Sequence, residues 1–278
     1  MNCYTRLADV KAALQGSGSG TSNDAELLRV VERVSRAIEE TLNGRHFYSR
    51  LATLVLPEVD RTTRNTPEGC QLWIEHDVIS ITSLKVDEDG DFVYETTLTT
   101  PTDYWTWPYN KLTHEPIARL DLVTGTWPTN RRRVELVGKI GYSEETQAAG
   151  TLAEDVDISE TAIDLTAGHD ISVCDTLVCE SEQMDVTAVS TNTITVTRGV
   201  NGTTAAVHAN LTAISRRRFP REIEQACLMQ TVRFFRETQT GYGGSIGNSE
   251  LAGYSFNSMY PAIRDLLRPY RKERSRVA

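Results

Sequence analysis

The sequence predicts an α+β protein: a small α-helical bundle of about four helices, a β-strand block and an inserted small all-β domain. Three observations predict it. A single apolar stripe recurs at helical spacing from Leu27 to Leu42. Short apolar runs with strand-like alternation fill the region from Phe47 to Ser143. An acidic block rich in Thr, Val and Asp follows, and helical period returns after it. The boundaries read as 1–145 for the first helices and strand block, 146–215 for the insertion, and 216–278 for the last helices and a basic tail.

The first helix is expected over Thr5–Leu14, with Leu7, Val10 and Leu14 on one side. Gly16-Ser17-Gly18-Ser19-Gly20 reads as a linker. The second helix carries Leu27, Val31, Val34, Ile38 and Leu42 at spacings of 4, 3, 4 and 4. Asn23 is placed to cap it, Glu26 gives a capping-box-like start, and Gly44 is placed to end it. Arg29, Arg33, Arg36, Glu39 and Glu40 lie off the stripe, and Glu32 with Arg36 makes a favourable i,i+4 pair.

Seven strands are expected next: Ala52–Leu56, Gln71–Glu75, Ile81–Asp87, Phe92–Thr97, Asp103–Tyr109, Ile117–Leu122 and Arg133–Tyr142. Asp89-Gly90 supplies a hairpin turn. The aromatic segment Tyr104–Tyr109 has the composition of a stacking strip, though such a segment is more often core or a subunit contact. In the insertion, strands are expected at Ala162–Leu165, Ile171–Val173, Thr176–Cys179, Met184–Val189 and Thr193–Thr197. Ser190-Thr191-Asn192 and Val200-Asn201-Gly202 supply turns.

A third helix is expected from Pro220 to about Thr240, with Ile223, Cys227, Leu228, Val232 and Phe235 on its apolar face. Gly241–Phe256 reads as a loop. A last helix runs from about Ser258, and Pro269 kinks or ends it.

Composition excludes several classes. The chain has 278 residues, 39% hydrophobic and 24% charged, which suits packed cores. No run approaches the ~18 apolar residues of a membrane span. The first residues, Met1 to Arg6, lack the apolar core of a secretory signal. The net charge is −9, against a protein that grips nucleic acid over its whole surface. That charge is uneven: residues 216–278 carry +6 and residues 1–215 carry −15. A basic end on an acidic body points to a docking tail.

The cysteines (Cys3, Cys70, Cys174, Cys179 and Cys227) are odd in number and irregular in spacing, so they form no disulfide framework and fit reduced thiols in a cytoplasm. The five histidines form no metal motif, and the chain has no nucleophile elbow, Walker loop or dinucleotide fingerprint. No catalytic residue, metal or cofactor is therefore assigned. Two rival sites remain. Asp155, Asp157, Asp164 and Asp170 are candidates for Ca²⁺ or a glycan in the insertion, although they lack EF-hand spacing. Glu75, Asp77, Asp87, Glu88, Asp89 and Asp91 offer carboxylates as a glycosidase would, and a charged hairpin explains them more simply.

Four stretches, taken in order, resemble the head–tail connector (adaptor) family of tailed bacteriophages. They are Tyr4–Leu14; Asp24–Glu39 running into Gly44-Arg45-His46-Phe47-Tyr48; Arg133-Val134-Glu135-Leu136 with Gly141-Tyr142; and Phe219–Ala226 with Phe234–Glu237 and Leu266–Arg271. Thr197–Ala205, with Asp175–Val178 and Ser181–Met184, looks like a β-module that recurs in phage structural proteins. The resemblance implies a homo-oligomeric ring of twelve copies in the virion neck, assembled in the host cytoplasm. Its partners would be the portal protein and a stopper or tail neck protein, with double-stranded DNA passing through the channel and no membrane involved. On that reading Arg268, Tyr270, Arg271, Lys272, Arg274 and Arg276 dock on the portal. Arg29, Arg33, Arg36, Glu39 and Glu40 are the ring-interface candidates. A stopper in the same neck is the nearest alternative.

Overall fold

The computed structural model describes residues 2–14, 20–56, 69–110, 115–128, 132–239 and 259–272. Among these it forms four α-helices and twelve β-strands. The chain divides into two compact units.

One unit comprises residues up to Gly44, Glu145–Val200 and Thr204–Lys272. Its helices are α1 (Leu7–Leu14), α2 (Asp24–Thr41), α3 (Arg221–Gln239) and α4 (Pro261–Leu267), the last running into a 3₁₀ turn at Arg268–Tyr270. The α2 stripe is fully buried from Leu27 through Ile38, so its helical period is set by packing. Asn23 makes no side-chain cap; it ends a short 3₁₀ turn, Thr21–Asn23, and Asp24 instead pairs with Lys11 of α1 at 2.8 Å. Gly44 ends the helix as its position suggests. With φ +77° it lets its N–H close on the Glu39 carbonyl at 2.8 Å. Pro261 occupies the first turn of α4, where its missing N–H costs no hydrogen bond.

The same unit holds a six-stranded antiparallel sheet of β7 (Thr146–Thr151), β8 (Ala162–Asp164), β9 (Thr176–Cys179), β10 (Glu182–Ser190), β11 (Thr193–Thr197) and β12 (Ala213–Arg217). The spatial order is β7-β12-β9-β10-β11-β8. Leu152, Ile163, Leu177, Met184, Val186, Ile194 and Ile214 form its core. The expected strand at Ile171–Val173 is not one; Ser172–Asp175 forms a turn there.

The other unit is Arg45–Glu144 with Asn201–Thr203. It holds β1 (Arg50–Leu56), β2 (Gln71–Val86), β3 (Thr96–Leu98), β4 (Tyr104–Trp107), β5 (Ile117–Leu122) and β6 (Val134–Ile140). The order is β1-β6-β2-β5-β4, with β3 on β2, all antiparallel. Two expected strands, Gln71–Glu75 and Ile81–Asp87, are one 16-residue strand, β2, whose register shifts at bulges. Its core includes Leu72, Val78, Leu84, Leu120, Trp127 and Leu136.

The expected fold class is therefore corrected. The molecule is mainly β, built on two six-stranded antiparallel sheets, and is not a helical bundle carrying a small all-β insertion. The reason is physical. β7 and β12 are short and polar, and each is held by ladder bonds to a distant partner rather than by an apolar pattern of its own. Among the described residues no helix is long and apolar enough to cross a membrane.

Candidate interface on the helical layer

Tyr4 holds the helical layer together. Its side chain is fully buried. Its backbone N–H donates to Ser35 Oγ at 3.1 Å, and its hydroxyl donates to Glu39 Oε1 at 2.5 Å. The ring meets Phe219 edge-on, with centroids 4.8 Å apart, and Arg36 lies over it at 5.8 Å. The N-terminal strap thus clamps α2 beside the chain that leads into α3. Leu7, Val10, Leu27, Val31 and Phe235 fill the space between α1, α2 and α3.

This clamp sorts the ring-interface candidates. Arg29, Arg33 and Glu40 are exposed. Arg33 sits over the Phe234 ring at 5.4 Å. Arg36 is half-buried; it pairs with Glu39 at 3.0 Å and donates to the Asn2 carbonyl at 2.8 Å. Glu39 is buried, with Tyr4 and Arg36 on its carboxylate. Three of the five therefore face solvent, Arg36 is shared between solvent and the layer, and Glu39 is spent inside it.

Two exposed surfaces of the layer differ in chemistry. The first is an apolar groove of about 510 Å³ where Ala13 meets Leu228, Met229 and Val232 of α3, rimmed by Arg233, Arg236 and Glu237. Met229 is 42% exposed, a large cost for an apolar side chain left uncovered. The second is a groove of about 760 Å³ between the end of α2 and α4, which presents Arg264, Arg268 and Arg271 beside Glu40 and Asp265. These cations lie at a helix C-terminus, where the unsatisfied carbonyls favour positive charge.

The end of the described chain is fastened at this second groove. Asn43 Nδ2 donates to the Lys272 carbonyl at 2.6 Å. The Tyr270 hydroxyl donates to Glu222 Oε2 at 2.8 Å. The Glu222 backbone N–H and that hydroxyl hold the Glu222 carboxyl below the usual range. Of the docking candidates, Arg268, Tyr270, Arg271 and Lys272 are therefore brought together. Arg274, Arg276 and the Gly241–Phe256 loop lie outside the described residues.

The rival carboxylate sets are engaged elsewhere. Asp155 caps the Asn210 N–H, Asp157 caps Ser159 and Glu160, and Asp164 accepts from the Thr193 hydroxyl. Asp170 pairs with Arg6 and Arg216. Asp77 pairs with Arg45 at 2.9 Å. Asp87, Asp89, Asp91 and Glu95 bring carboxylate oxygens within 4.8 Å of one another. Asp87, Asp89 and Asp91 each accept a backbone N–H of their own turn, which accounts for the cluster as loop chemistry.

In the aromatic segment, Tyr104 is core, while Trp105 and Trp107 point outward. Arg119 lies over both Trp73 and Trp107, at 5.3 and 5.1 Å from the two rings, whose centroids are 6.0 Å apart. It makes a cation–π contact with both rings from one side.

Sequence reasoning missed the clamp around Glu182, a buried charged cluster. Glu182 is wholly buried, and it takes two hydrogen bonds from Arg198 and one from each of the Gly199 and Ala206 N–H groups. His208 Nε2 lies 2.8 Å from it, and His208 Nδ1 lies 2.8 Å from Glu180. One signal pointed there: Arg198 is the single basic residue in an otherwise acidic block. A buried carboxylate so fully bonded is a structural clamp.

A scan against protein-family models finds no match, and neither does a search of curated proteins.

Proposed function

We propose that the chain is a head–tail connector (adaptor) of a tailed bacteriophage. Copies close side by side into a ring that docks on the portal, joins capsid to neck and leaves a channel for DNA. The observation that carries this reading is the helical layer with its two unlike exposed grooves. A ring closed by rotation needs a heterologous interface, in which each subunit offers two different complementary surfaces. The apolar α3 groove suits lateral contact. The arginine groove, with the fastened start of the basic tail, suits docking on an acidic partner.

The energetics favour many weak contacts. An exposed ion pair contributes only ~0–1 kcal/mol. Tails repeated around a ring add through effective concentration. The acidic balance of residues 1–215 repels DNA phosphates, so a strand inside the ring slides rather than sticks.

The test is charge reversal in the second groove. Arg268→Glu with Arg271→Glu should leave the circular-dichroism spectrum unchanged and abolish joining of portal-bearing capsids to tails in a complementation assay. Wild-type joining by the folded double variant would refute docking through this end.

A further inference from the structure

We propose that Cys3 and Cys174 are a redox pair that closes into an intramolecular disulfide. They are 171 residues apart in the chain, and both are buried thiols outside any disulfide. The Cys3 thiol donates to the Cys174 sulfur at 2.8 Å. That is closer than the ~3.5–4.0 Å of ordinary contact between heavy atoms. Each sulfur is held in place by its surroundings. Cys3 precedes Tyr4, which is fixed through its backbone N–H and its hydroxyl. Cys174 lies in the Ser172–Asp175 turn, where Asp175 Oδ2 accepts the Ser172 N–H at 2.8 Å.

The backbone at Cys174 adds a second observation. Its φ is +77°, a left-handed conformation that costs a residue with a Cβ, and such strain persists where its surroundings enforce it. A small polar cavity of about 150 Å³ is lined by both cysteines together with Arg6, Arg216 and Arg218 among others. It gives a small reagent a way in. The Cys3 contact and burial push the Cys174 thiol up, which disfavours its thiolate while the pair is reduced.

The oxidant class is a small disulfide. One cysteine loses its proton and its thiolate attacks a sulfur of the reagent, forming a mixed disulfide and expelling one reagent thiolate. The second cysteine then loses its proton and displaces the other reagent thiolate. The two expelled thiolates take up the two protons. The protein pair is oxidised by two electrons, and the reagent disulfide is reduced to two thiols. Closure ties the N-terminal strap to the turn before β9, within one unit of the fold.

The test is a non-reducing peptide map of the full chain after treatment with hydroxyethyl disulfide and alkylation of the remaining thiols. The expected result is a cross-linked peptide pair holding Cys3 and Cys174, ~2 Da lighter than the two reduced peptides together. Dithiothreitol should reverse it, and the oxidised form should melt at the higher temperature. Cys174→Ser should lose the cross-link and leave Cys3 to the alkylating agent. Cys3 and Cys174 recovered singly modified in the native protein, or Cys3 joined to Cys227, would overturn the assignment. The native map decides the matter even if the variant does not fold.

Discussion

Arg198 grips Glu182 with both arms of its guanidinium, Nε to Oε1 at 2.6 Å and Nη2 to Oε2 at 2.7 Å. Burial alone would raise the Glu182 carboxyl, but the Arg198 bonds, the Ala206 N–H and His208 outweigh it and hold the group at about 2. An unfolded glutamate titrates near ~4.3. The folded state therefore binds fewer protons across that interval. The stabilisation is complete above the unfolded value and is lost as pH falls through about 2. Arg198 also donates to the carbonyls of Asp157, Glu160 and Ala206. Arg198→Ala should cost about 3–5 kcal/mol, since it leaves a buried charge uncompensated. Its acid-unfolding midpoint should move to higher pH. Urea denaturation at a series of pH values measures both effects.

Tyr4→Phe tests the clamp on the helical layer. The substitution keeps the ring packed against Phe219 and removes the hydroxyl that donates to buried Glu39. A loss of about 1–3 kcal/mol is expected. Thermal unfolding against wild type reads it. An unchanged melting temperature would mean that the hydroxyl contributes nothing.

Gly138→Ala tests the close approach of β6 to the bulged β2. A Cβ at Gly138 would lie 2.1 Å from the Ser80 carbonyl oxygen, which is backbone and cannot swing aside. The variant should lose about 1–3 kcal/mol through forced backbone movement. Hydrogen exchange should show the weakening in β2 and β6 first. Protection equal to wild type would show that the sheet adjusts at no cost.

The helices were the most legible part of the sequence, because one stripe on α2 carries a single strong period and every member of it is buried. Short apolar or β-branched runs, such as Ile117–Leu122, Thr176–Cys179 and Thr193–Thr197, were legible to the residue. β2 was not, because Glu75-His76-Asp77 interrupts its apolar pattern while the backbone runs on. β7 and β12 were missed because Ala149 and Ile214 are their only fully covered apolar residues. Of the candidate site, the basic residues at 268–272 were legible as a charge run. The inward role of Glu39 was not, since it lies beside Ile38 at the margin of the stripe and its partner Tyr4 is 35 residues away. Pairs such as Cys3 with Cys174 leave no local spacing to read.

On the proposed function, many identical copies form a collar at the capsid vertex. Cryo-electron microscopy of intact particles, with the polypeptide labelled or quantified by mass spectrometry against the portal, tests it most directly. The expected image is a closed neck ring seated on the portal, with as many copies as the portal has subunits. One or two copies per particle, or a neck without this polypeptide, would contradict it.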